Sequence, residues 1–258
     1  MAKLTKAQIK QHEQACRLLE KETLTFDEKW AVYENWHEGA DHNNGRAGAF
    51  FTPPYLARDF GFDICGRKVI DLCAGTGILS FMYYHTKCSY EKPAEITCVE
   101  INPAYVEIGK KLLPEATWIC ADIGEVWKDL GRFDCAYGNP PFGRQNFIRN
   151  APRYTGPEGE YKVIDIASRI ADYGAFIIPQ QSAPFRYSGV QCYDRHDSGR
   201  FCQFYKQTGI DMDAGCGIDT SVYRQDWHGV SPLCEVVTCD FEECRAARPD
   251  LAEQLSLL

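Results

Sequence analysis

Short apolar runs alternate with longer amphipathic stretches along most of this chain. Residues 69–72, 96–101, 117–121, 133–137 and 174–179 each read as a buried strand. Helical patterns fall between them, from Ile78 onward, over 104–113 and over 161–172. The alternation predicts an α/β domain. Upstream, the first 49 residues read as two helices. Thr5 with Gln8 and Thr25 with Glu28 have the spacing of capping boxes, and Asp27 favours a helix N-terminus. Ile9, Cys16 and Leu19 fall near one face of the first helix. The second carries Trp30, Val32, Tyr33 and Trp36 and is expected to end near Gly39. Such a segment has its own apolar face and is expected to pack on the main domain, with its aromatic residues as core. The division predicted is a helical extension over 1–45 and a main domain over 46–258. Residues 41–48 are a loop by composition, and Thr52 is the expected N-cap of a helix with Pro53 or Pro54 in its first turn.

Polar residues at the ends of these strands carry the candidate chemistry. After the fourth strand comes Gly138-Asn139-Pro140-Pro141-Phe142. Two consecutive prolines lack N–H groups and cannot continue a central strand, so the chain must leave the sheet and its carbonyls are free. Asn139 adds an amide and Phe142 a flat ring. The result is a set of acceptors with a stacking platform, at the edge where open α/β sheets bind ligands. An ordinary turn is the alternative. After the first strand, Ala74-Gly75-Thr76-Gly77 forms a tight turn into a helix. The third glycine of the dinucleotide fingerprint is replaced by Ser80. Asp71, just before the turn, would repel a pyrophosphate and welcome an ammonium or sulfonium ligand. Glu100, followed by Ile101, ends the second strand about one βαβ unit later, where an acid can bind two ribose hydroxyls. Asp122 and Ile123 follow the third strand, an acceptor for an exocyclic amino group beside an apolar face. Each acid alone is also a plausible helix cap, but three stand at three successive strand ends.

Charge and composition then narrow the partners. The net charge of −8 does not fit a general nucleic-acid coater, though a local basic cleft is compatible with it. One such stretch is 143–155, where Arg144, Arg149 and Arg153 interleave with Phe147 and Tyr154. It reads either as a phosphate-tracking loop or as a solvated surface loop. A second polar stretch, 186–200, holds Arg195, His196 and Arg200. His228 reads as an exposed loop histidine. The 13 cysteines form no C-x-x-C pair. Cys234, Cys239 and Cys244 have no nearby histidine, so no metal site is expected. Free thiols suit a reducing compartment. No apolar run approaches the roughly 18–20 residues of a membrane span, and a cytoplasmic protein is expected.

Taken together, these motifs resemble those of class I S-adenosylmethionine-dependent methyltransferases, and within them the N6-adenine DNA methyltransferases, over about residues 46–180. Asn139-Pro140-Pro141-Phe142 is similar to the family's (Asn/Asp)-Pro-Pro-(Tyr/Phe) catalytic motif. The stretch from Asp71 through Ala74 and Gly75 to Gly77 resembles its cofactor loop. Glu100 and Asp122 match its ribose and adenine acids. Phe50-Phe51-Thr52-Pro53 resembles the segment that helps hold the methionine end of the cofactor in the DNA enzymes. The resemblance implies a Rossmann-like sheet of seven strands with an antiparallel edge, closed by Val222 and Tyr223 and by 234–239. It implies S-adenosyl-L-methionine as cofactor, held by Phe51, Thr52, Pro53, Asp71, Ala74, Gly75, Gly77, Glu100, Ile101, Asp122, Ile123 and Asn139. Arg144, Phe147, Arg149 and Arg153 are the expected substrate contacts. The implied reaction is methylation of the adenine N6 amine, with DNA favoured over RNA by the Phe50–Pro53 segment. No separate target-recognition domain follows residue 180, so a specificity partner is a further expectation. An RNA adenine methyltransferase and a non-catalytic cofactor-binding module are the alternatives; protein-glutamine relatives usually carry Tyr where this chain has Phe142.

Overall fold

The computed structural model describes residues 4–37, 50–87, 94–144, 151–228 and 230–247. In chain order these residues form α1 (Lys6–Leu19), α2 (Phe26–Asn35), α3 (Pro54–Phe60), β1 (Lys68–Asp71), α4 (Ile78–Lys87), β2 (Glu95–Glu100), α5 (Pro103–Leu112), β3 (Thr117–Cys120) and α6 (Ile123–Val126). There follow β4 (Phe133–Gly138), α7 (Gly159–Ile170), β5 (Ala171–Pro179), β6 (Phe185–Arg186), β7 (Asp194–Arg195), α8 (Gly199–Thr208), β8 (Cys234–Asp240) and α9 (Phe241–Ala247).

The strands richest in apolar residues take the middle of one sheet, in the order β3-β2-β1-β4-β5-β8. The first five run parallel, and β8 pairs antiparallel with β5 from Tyr173↔Asp240 to Pro179↔Cys234. Strand order reverses between β1 and β4, so a crevice opens at their carboxyl ends. Helices cover both faces. Phe60, Phe81 and Leu112 are buried on one side, and Ile164, Phe204 and Phe241 on the other.

Both N-terminal capping boxes form, at Thr5/Gln8 and Thr25/Glu28. α1 and α2 lie on the domain, as their apolar faces require. Phe26 stacks on Phe81 at 5.5 Å between centroids, and the Tyr33 hydroxyl donates to the Thr76 carbonyl at 3.1 Å. α2 stops at Asn35, earlier than the end expected near Gly39, a position outside the described residues.

Three expectations are corrected. The sheet has six strands among the described residues, against the seven expected. Val222 and Tyr223 lie in a 3-10 turn, Thr220–Tyr223, whose N-terminus is capped by the Asp219 side chain on Ser221 N. Val222 is 67% exposed there and has no strand face to bury, so β8 closes the sheet without it. Thr52 is not the cap of α3: Pro53 holds the N-cap position and Pro54 the first turn, while the Thr52 hydroxyl serves another partner.

The segment before α7 is anchored by a buried acid. Asp165 is fully buried and accepts from the backbone N–H groups of Arg153 (2.5 Å) and Tyr154 (2.8 Å) and from Arg153 Nε (3.1 Å). Removing one member of a buried charge pair strands the other. Asp165→Ala is therefore predicted to cost about 3–5 kcal/mol in urea unfolding. Asp172→Ala, at the surface pairs with Arg132 and Arg245, is predicted to cost about 1 kcal/mol, well below the loss at Asp165. Equal losses at the two sites would contradict this assignment.

Candidate active site

Each wall of the crevice is a strand end whose local chemistry forces it open. At the end of β1, Gly75 and Gly77 turn with φ of 56° and 88°, the left-handed region open to glycine. A side chain at Gly75 would also strike the Phe51 ring, only 2.6 Å from an ideal Cβ. At Gly77 the Trp118 ring lies 2.8 Å from such a Cβ. The turn thus lies between two aromatic rings.

Glu100 closes this turn from β2. Its Oε2 accepts from Gly75 N (2.8 Å) and its Oε1 from Asn102 N (2.8 Å). Burial raises its pKa, and those N–H groups oppose the rise. Each oxygen keeps acceptor capacity for a ligand. Asp122 caps α6 through Gly124 N at 2.8 Å, and it also lines the crevice. Asp122 thus caps a helix and faces the crevice at once. Ile101 is 51% exposed at the same cleft, an apolar side chain left to a ligand, and Ile123 is buried beside it.

Asp71 sits beneath the turn, fully buried. Its Oδ2 accepts from Ser80 Oγ (3.0 Å), which also meets the Tyr137 hydroxyl at 2.8 Å. Its Oδ1 has no hydrogen-bond partner among the described residues. Burial pushes the Asp71 carboxyl up to about 7, against the bond from Ser80.

At the end of β4, Asn139 is fixed by two acceptors. Its Nδ2 donates to the Phe50 carbonyl at 2.7 Å and to Thr52 Oγ1 at 3.1 Å. With both amide hydrogens used on the protein, Oδ1 is the atom turned to the remaining side. Phe142 lies edge-on to Phe50, 5.9 Å between centroids.

The structure brings Phe51, Thr52, Ala74, Gly75, Glu100, Ile101, Asp122, Ile123, Asn139, Pro140 and Pro141 to one cleft. Pro53, Asp71 and Gly77 lie behind its wall, and Phe142 lines the cleft next to it. Of the expected substrate contacts, Arg144 is exposed, while Phe147 and Arg149 lie outside the described residues. Arg153 is tied to Asp165 and to Ser168 Oγ (2.9 Å), and Tyr154 is buried. The interleaved pattern there serves the core as much as the surface. Leu72, Val99, Asn102, Tyr105 and Ala121 also line the cleft and were missed by sequence reasoning. Most sit within a residue or two of a strand end, the one signal available for them. Among the described residues, no group of three or more His, Cys, Asp or Glu side chains is placed to hold a metal, and no helix is long and apolar enough to cross a membrane.

No protein-family model matches the sequence, and no curated protein sequence matches it significantly. Solved structures do share the fold. A modification subunit described as part of a type I restriction enzyme from Vibrio vulnificus aligns with a TM-score of 0.55 at 14% identity, covering 86% of this chain and 51% of that one. The methyltransferase subunit of a type I restriction-modification system from Streptococcus thermophilus gives 0.51 at 15% identity, with 81% and 49% covered. A Listeria monocytogenes protein described as a class I S-adenosylmethionine-dependent methyltransferase gives 0.53 at 12% identity, with 89% and 79% covered. This chain spans about half the length of the two restriction-system subunits. It has the fold of class I S-adenosylmethionine-dependent methyltransferases.

Asp71 generates a pH prediction. An ordinary aspartate pKa near 3.8 in the unfolded chain and about 7 in the folded one means that the folded protein holds an extra proton between these values. This group therefore lowers stability as pH rises from about 4 to 7, and adds no further change above. In Asp71→Asn that slope is absent. The stability difference, variant minus wild type, is predicted to rise by a few kcal/mol over this window, on the scale of about 1.4 kcal/mol per unit. A pH-independent difference in denaturant unfolding would contradict the buried-acid assignment.

Proposed function

We propose that the protein transfers a methyl group from S-adenosylmethionine to the exocyclic N6 amine of adenine in DNA. The observation that carries this reading is the held amide of Asn139, whose Nδ2 is used by Phe50 and Thr52. The amine is a poor nucleophile because its lone pair is delocalised into the ring. Asn139 Oδ1 and the Pro140 carbonyl accept its two N–H bonds, draw the nitrogen towards a tetrahedral shape and aim its lone pair. Phe142 stacks on the base, worth roughly 1–3 kcal/mol. The proton then leaves to water, since an aryl-ammonium product is a strong acid. Orientation and electrostatics carry the step, and no dedicated base is needed.

The cleft suits the cofactor. Glu100 keeps acceptor capacity for two ribose hydroxyls, and Asp122 offers an acceptor for an adenine amino group. Ile101 and Ile123 supply apolar contact. Bound there, the cofactor would supply an electrophilic methyl group on its sulfonium, and the electron pair of the broken carbon–sulfur bond would stay on sulfur as a neutral thioether. A duplex target must be flipped out, at a cost of a few kcal/mol. Phe50–Pro53 favours DNA, because this segment accompanies the Asn-Pro-Pro-Phe motif in the DNA enzymes and here holds Asn139. The likeness to subunits of restriction systems supports a partner that supplies target recognition. The described cysteines are all free, which supports a cytoplasmic setting.

Radiolabelled S-adenosylmethionine, offered with unmethylated duplex DNA and with total RNA, tests the reading. Label is expected in DNA, and Asn139→Ala should lower it at least about 100-fold, on the scale of losing one oriented polar group. Cofactor affinity should fall less in that variant than in Glu100→Ala, which should weaken it at least about tenfold through loss of two charged hydrogen bonds. Label in RNA alone would overturn the choice of DNA. Cofactor binding with no label in either nucleic acid would overturn the reaction.

A further inference from the structure

A second cleft begins where the first ends. Asn139, Pro140 and Pro141 line the cofactor cleft, and Phe142 and Gly143 line its neighbour. The motif is thus a partition between two spaces of opposite character. Glu100 and Asp122 face into the first. Among the described residues, the lining of the second contains Arg186 and His196 and no acidic residue. In a chain of net charge −8 an acid-free basic cleft is a local exception.

Its walls are fixed from behind. Glu160, fully buried, accepts from Gly143 N (2.8 Å) and from Ser182 Oγ (2.8 Å), joining the segment after Phe142 to the segment after β5. Glu235, also fully buried, accepts from Gln180 Nε2 (2.7 Å) and Ser188 Oγ (2.7 Å). The carboxylates behind these walls are therefore satisfied by groups of the walls themselves.

The side chains at the surface are different. Arg186 and His196 are exposed and make no ion pair among the described residues. Arg186 faces Asp194 across the β6–β7 ladder without pairing to it. Arg195 next door is occupied by Asp211 (2.7 Å) and Asp197 (3.0 Å), and Arg153 by Asp165. Leu233, 55% exposed, and the Phe142 ring add apolar surface to the same cleft. A free guanidinium and an exposed imidazole beside flat apolar surface fit a strand of alternating phosphates and bases.

We infer that this second cleft takes the sugar–phosphate backbone of the strand carrying the target base, with Arg186 and His196 as its phosphate contacts. The inference rests on the methyl-transfer reading and names how its substrate is held.

The test compares the full chain with Arg186→Gln, His196→Gln and the double variant. Arg67→Gln serves as a charge control, since Arg67 lies at the amino end of β1, away from the crevice, beside Glu95. Binding of a fluorescein-labelled single-stranded DNA containing one adenine is followed by anisotropy against salt, with an RNA of the same sequence as a second arm. Binding of S-adenosylmethionine reports folding. The double variant should bind the DNA at least about tenfold more weakly, with a salt slope shallower by roughly 0.7 for each phosphate no longer neutralised. Arg67→Gln and cofactor affinity should not change. Wild-type affinity for the DNA in the double variant would overturn the inference, as would no binding of either strand by the cofactor-competent wild type. A weakening seen with RNA alone would overturn the DNA assignment of the cleft. Loss of binding in the variants, with no methyl transfer by the wild type, would leave the cleft standing and overturn the reaction.

Discussion

The amide of Asn139 is held from one side, and the site depends on that asymmetry. Phe50 O and Thr52 Oγ1 take its two hydrogens, so the segment before α3 is docked on the end of β4. Docking brings Phe51 over the glycine turn, close enough that only glycine fits at Gly75. Phe51 in turn meets Trp36 at 5.7 Å and Tyr105 at 5.1 Å between centroids. Through Trp36 the N-terminal helices support the back of the cleft. The residue that caps the end of α2, a turn after β1 and a motif after β4 are thereby fixed to one another.

Electrostatics divides the space around that motif. Acids at the ends of β1, β2 and β3 gather on the cofactor side, where burial raises Asp71 and Glu100. The acids disfavour a polyanion on that side. On the other side of Phe142 the lining has no acid among the described residues, and the buried carboxylates behind it are satisfied by wall groups. In the proposed methyl transfer the two reactants, one cationic and one polyanionic, occupy the two sides.

Much of this was legible in the sequence because it is local. Capping boxes depend on residues three apart, and both formed. Buried parallel strands read as apolar runs, and the acids and prolines that ended them marked the sheet edge. What was not legible depends on distant partners. Thr52 has the chemistry of an N-cap, but a stronger use for its hydroxyl came from Asn139, 87 residues away in sequence. Arg153 looked like a free cation until α7 placed Asp165 against it. Val222 and Tyr223 have strand-forming side chains, yet the Asp219 cap and the lack of a face to bury put them in a turn. Glu160 and Glu235 gave no signal at all, since burial of an acid is set by the fold around it.

The most direct measurement is the identity of the methylated nucleoside. Duplex DNA treated with the protein and S-adenosylmethionine would be digested to nucleosides and analysed by mass spectrometry. The account predicts N6-methyl-2′-deoxyadenosine as the product. A methyl group on a ring carbon of a pyrimidine would contradict it, because the proposed roles of Asn139 and Pro140 are to accept from an amine, not to activate a carbon.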